Sequence, residues 1–137
     1  MASNKDLARA LLFLRVGIAA VFLIWAIDKL YRPEHAALVF EHFYFIKGLS
    51  VKVSIFIGVA QAILTIAFLV GFKKKLTYGS VFILHLISTV ASYKQYLSPL
   101  DGVNILFFTS LPMLAACYAL YVLREHDTLY VMDSGKE

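Results

Sequence analysis

Arg15, Gln61, His85 and Asn104 each stand inside an otherwise apolar run, where a strongly polar side chain is costly and needs a partner or a task. Their chemistry is limited but definite. A guanidinium holds a carboxylate or a carbonyl, an amide gives one donor face and one acceptor face, and an imidazole can donate, accept or carry a proton. Hydroxyls from Thr65, Ser88, Thr89, Ser92, Thr109, Ser110, Tyr118 and Tyr121 accompany them. His35 and His42, seven apart with Glu34 and Glu41 beside them, have a metal-like composition. Their spacing suits a solvated helix face better, and no metal site is expected.

The elements carrying these residues follow from composition. Of 137 residues, 61% are hydrophobic, against roughly 45–50% in a soluble domain. The expected fold is all-α: an integral membrane four-helix bundle in a single domain, with a short interfacial helix in the first outer loop. Apolar runs near 7–30, 51–72, 76–96 and 103–123 are each about the 20 residues that a hydrocarbon core of roughly 30 Å demands. Tyr31, Arg32 and Pro33 stop the first, Gly71 and the lysines 73–75 stop the second, and Ser98-Pro99 follows the third. In the loop 32–50, Pro33 opens a short amphipathic segment bearing Phe40, Phe43, Tyr44 and Phe45, suited to the interface or to the mouth of the bundle.

Net charge is +4, but the basic residues sit at the ends of apolar runs, so no nucleic-acid partner is expected. Seven Lys and Arg residues fall on the side of the termini and five on the other. With the compact 73–75 triplet, that places both termini in the cytoplasm. No cleavable signal peptide is expected, and residues 125–137 read as a polar cytoplasmic tail. The single cysteine, Cys117, excludes a disulfide relay or a cysteine metal cage within the chain.

Helical rise puts Gln61 about 16 Å and His85 about 14 Å from the cytoplasmic ends of their spans, at one depth near the midplane. Ser54, Gly58, Gln61 and Thr65 form one polar stripe, and Tyr78, His85, Ser88 and Ser92 another. Arg15 lies about 10 to 12 Å inside the first span, where it can anchor the helix by donating to a Tyr hydroxyl or hold an acidic or carbonyl-bearing ligand. For His85 a hydrogen-bonded structural role stands beside proton transfer or quinone contact. Asp28 beside Lys29 reads as a charge pair at the outer mouth.

The stretches LRVGIAAVFLIWAIDKLYRP, FEHF, FLVGFKKK and LREHDTLYVMD resemble the DoxX-like family of small four-helix bacterial membrane proteins over most of the chain. Trp25, Ala26 and Gln61 depart from the family pattern. The resemblance implies an inner-membrane location, membrane or periplasmic redox partner proteins, and functional weight on Arg15 and Lys29. It implies membrane-bound redox work of the kind done by a thiosulfate-to-quinone oxidoreductase subunit. The absence of a nucleophile motif and of any cofactor held by the chain favours an accessory subunit that docks and stabilises partners. The alternative is a quinone-linked oxidoreductase component with Arg15, Gln61 and His85 around the quinone, which requires a cavity at their level. A small transporter is a third class.

Overall fold

The computed structural model describes residues 3–133, and among these every regular element is helical. Ser3 opens α1 (Asn4–Tyr31) with a capping box, its hydroxyl accepting from the Asp6 amide while the Asp6 carboxylate accepts from the Ser3 amide. Arg32 and Pro33 end α1 and start α2 (Pro33–Tyr44), proline fitting a first turn whose amide has no helical partner. Ser50 caps α3 (Val51–Leu69) by accepting from the Val53 amide.

That helix stops in a Schellman turn. Gly71 is left-handed at φ 62°, Phe72 N–H donates to the Ala67 carbonyl, and Gly71 N–H donates to that of Phe68. After it come α4 (Lys74–Ala91), α5 (Tyr93–Leu97), a 3-10 segment (Asn104–Thr109), α6 (Ser110–Val122) and a final 3-10 turn (Arg124–His126).

The third apolar run was expected to be one helix over 76–96. Instead α4 ends at Ala91, and α5 begins after Ser92. The Ser92 hydroxyl donates to the Ser88 carbonyl, and such a back-bond competes with the helical amide for that oxygen. The fourth run starts as a 3-10 turn rather than as α-helix.

α1 packs along α3 and α4 along α6, and the two pairs share a core of Leu11, Ile18 and Phe22 with Phe68, Tyr78, Val81, Cys117 and Leu120. The α1–α3 contact is close at Gly58, where an added Cβ would meet Lys29 Cβ at 2.9 Å and Leu30 Cδ2 at 3.1 Å. Gly58→Leu therefore forces the two helices apart. Unfolding in detergent is expected to show a loss of about 2 kcal/mol or more, and an unchanged melt would contradict this packing.

Burial is inverted relative to a soluble protein. Arg15, Ser54, His85 and Asp127 are each no more than 1% exposed, while Phe13 is 78% and Phe56 72% exposed. Among the described residues three helical stretches are long and apolar enough to cross a membrane: Asn4–Tyr31, Val51–Leu69 and Asn104–Val122.

Candidate functional site

Two polar centres occupy the interior. The first is a cavity of about 1200 Å³ between α1, α2, α3, α4 and the 104–113 stretch. α2 roofs it: Phe40, Phe43 and Tyr44 turn into the lining, Tyr44 Oη lies 2.7 Å from Ser88 Oγ on α4, and the Phe43 ring sits 5.8 Å from that of Phe107. Three of the four aromatics expected on the interface or the mouth therefore pack on the mouth. Phe45 stays exposed, with Lys94 Nζ over its ring.

His85 and Gln61 line this cavity together. His85 Nε2 lies 3.0 Å from the Ser110 carbonyl, which can only accept, so Nε2 carries a hydrogen in that bond. The ring is held between Trp25, stacked with centroids 6.0 Å apart, and Phe22, edge-on at 6.4 Å. Nδ1 is buried and has no partner. Gln61 Nε2 donates to the Phe22 carbonyl at 3.0 Å, which fixes the orientation of the amide. The α3 stripe thus turns toward α1, and the α4 stripe toward α1 and α6.

Lys29 stands at the mouth of the same cavity, its Nζ donating to the Trp25 carbonyl. Asp28 does not pair with it. Its carboxylate accepts from Arg32, one turn along on its own face, and lies 2.8 Å from Nδ1 of His35, which the start of α2 brings back beside the end of α1, while the adjacent residue points away. His35 is thereby tied to Asp28 and His42 lies edge-on to Phe43, with no group of three His, Cys, Asp or Glu suited to a metal among the described residues. Asn104 donates to the Ser98 carbonyl and closes the loop before the last helix.

The second centre holds Arg15, which is absent from the cavity lining. Its Nη1 donates to Asp127 Oδ2 at 2.6 Å and to Tyr78 Oη at 3.2 Å, and its Nη2 donates to the Leu129 carbonyl at 2.6 Å. Tyr78 Oη in turn donates to Asp127 Oδ2 at 2.7 Å, and Lys74 Nζ donates to the carbonyls of Arg124 and Asp127. Met132 and Asp133 amides donate to the carbonyls of Val70 and Gly71. The polar stretch expected as a tail from 125 onward packs on the helices as far as Asp133: the segment folds back and seals the tri-lysine end, because a buried guanidinium needs a carboxylate and this segment supplies it. Residues 134–137 lie outside the described ones. Donation to a Tyr hydroxyl was one of the roles open to Arg15, and the hydroxyl it meets is that of Tyr78 on α4. Asp127 and Lys74 were not among the residues singled out by sequence.

No family model, curated protein or solved structure matches the chain.

Proposed function

We propose that the protein is a DoxX-like, four-span component of a bacterial inner-membrane redox assembly that holds an amphiphilic quinone-type ligand in the cavity between α1, α3 and α4. The three apolar stretches cross the bilayer, and α4 crosses with them. Its polar residues Tyr78, His85 and Thr89 are buried, while Leu76, Ile83, Ile87 and Val90 are exposed along its outer side. Its 18 residues reach about 27 Å, close to the hydrocarbon thickness. Both termini lie on the cytoplasmic side with lysines 73–75.

The observation that carries the ligand reading is the cavity at the shared level of Gln61 and His85: a mostly apolar hollow into which polar side chains converge is the usual form of a small-molecule site. Arg15, engaged by Asp127, serves the scaffold in this reading, and Lys29 guards the mouth. Accessory docking remains a second reading, supported by Leu38, Phe45 and Ile46, all exposed on or just after α2.

Purification of the tagged protein in mild detergent, with mass spectrometry of everything that travels with it, separates the two. The ligand reading expects a lipophilic small molecule near one per chain, and at least about a tenfold loss of it in His85→Ala. Stoichiometric partner subunits with no small molecule would sink that reading in favour of the accessory one.

A further inference from the structure

The polar groups lining the cavity leave one buried acceptor unmatched. Most hydroxyl hydrogens there are already spent on the chain's own carbonyls: Thr89 donates to His85, Ser92 to Ser88, Ser110 to Phe107 and Thr109 to Leu106. Tyr96 donates to Ser110 Oγ, so that hydroxyl gains no free hydrogen. Tyr44 and Ser88 share one bond and keep a single hydrogen between them.

The two strongest side chains are spent in the same sense. Gln61 gives one of its two amide hydrogens to Phe22 and keeps its oxygen as an acceptor. His85 gives Nε2–H to Ser110, which leaves Nδ1 as a lone pair, buried and unpartnered. A buried acceptor without a donor costs roughly 1–3 kcal/mol until something supplies the hydrogen. Beside Gln61 and Trp25 the cavity thus holds a buried acceptor, His85 Nδ1, to which the chain itself supplies no donor.

We infer that the cavity selects a ligand whose head group donates a hydrogen bond, a phenolic or similar hydroxyl on an apolar body, over the same molecule with that hydrogen removed. For a quinone-type couple this means that the dihydroxy, reduced member is held more tightly than the dicarbonyl one. The inference rests on the cavity being a ligand site, as proposed above.

Trp25 makes the test direct, since it is the sole tryptophan, lines the cavity and stacks on His85. The full chain in nanodiscs is titrated with para-octylphenol and with its methyl ether, at equal mole fraction in the bilayer. Saturable change in Trp25 emission is the readout. The phenol is expected to bind about tenfold more tightly than the ether, whose methyl group stands where the phenol has the hydrogen that the unmatched acceptor needs. In Gln61→Leu and in His85→Phe the gap is expected to narrow, and the wild-type pair decides the question even where a variant does not fold. Equal binding of phenol and ether overturns the inference and leaves the ligand site standing. No saturable response to either probe overturns both.

Discussion

Replacing Asp127 with Ala is expected to remove about 3–5 kcal/mol of stability, the cost of leaving a buried guanidinium without its counter-ion. For a domain of this size, whose whole margin is of order 5–15 kcal/mol, that is a large share. The carboxylate is fully buried, and one of its oxygens receives both Arg15 and Tyr78, so a single truncation strands two donors. Unfolding of purified protein in detergent, followed by helical circular dichroism, measures the loss. Arg15→Met alone should cost a similar amount for the mirror-image reason, a buried carboxylate left without its cation. The double change Arg15→Met with Asp127→Leu should cost less than the sum of the two single changes, because no lone charge remains. An Asp127→Ala protein that melts with the parent would show that the segment is not clasped to Arg15.

Gly71→Ala is expected to free the last described residues while leaving the helices in place. Gly71 adopts φ 62°, and an added Cβ would lie 2.6 Å from Val131 Cγ1 and 3.2 Å from its backbone Cα. A left-handed non-glycine residue costs of order 1–3 kcal/mol, and Val131 cannot move away without its backbone following. The amides of Met132 and Asp133, which donate to Val70 and Gly71, should then lose their protection from hydrogen exchange, whereas those of α1 and α3 keep theirs. Retained protection at Met132 and Asp133 in the variant would refute the close approach. Together the two substitutions test the seal by its charge and by its shape.

Much of this architecture was legible because hydropathy reports helix length directly. The Gly71 and Lys73 to Lys75 boundary, the Pro33 start and the two polar stripes all follow from local chemistry. Equal depth for Gln61 and His85 came from counting turns, and the two do line one cavity. What pattern could not supply was the pairing of residues far apart in the chain. Arg15 was conspicuous in its apolar run, but Asp127 sits in a polar stretch whose composition is that of a solvated tail. The signal available was the demand itself: a buried cation obliges some carboxylate to come to it, and Asp127 is among the few acids on the tri-lysine side. Asp28 was assigned to Lys29 by adjacency, although neighbours on a helix point to different faces. The break at Ser92 was hidden because α4 and α5 share one apolar run.

The Arg15 to Asp127 bond also sets an order of events. The two residues are 112 positions apart, so at synthesis rates of 5–20 residues per second the guanidinium exists for roughly 6 to 22 s before its carboxylate has been made. Through that interval α1 carries an uncompensated positive charge that favours keeping this end of the helix near water. Closure at the tri-lysine end is therefore a late step of assembly. A nascent chain interrupted before Asp127 would hold most of its helices yet still present an unsatisfied charge, a difference that cellular quality control could detect.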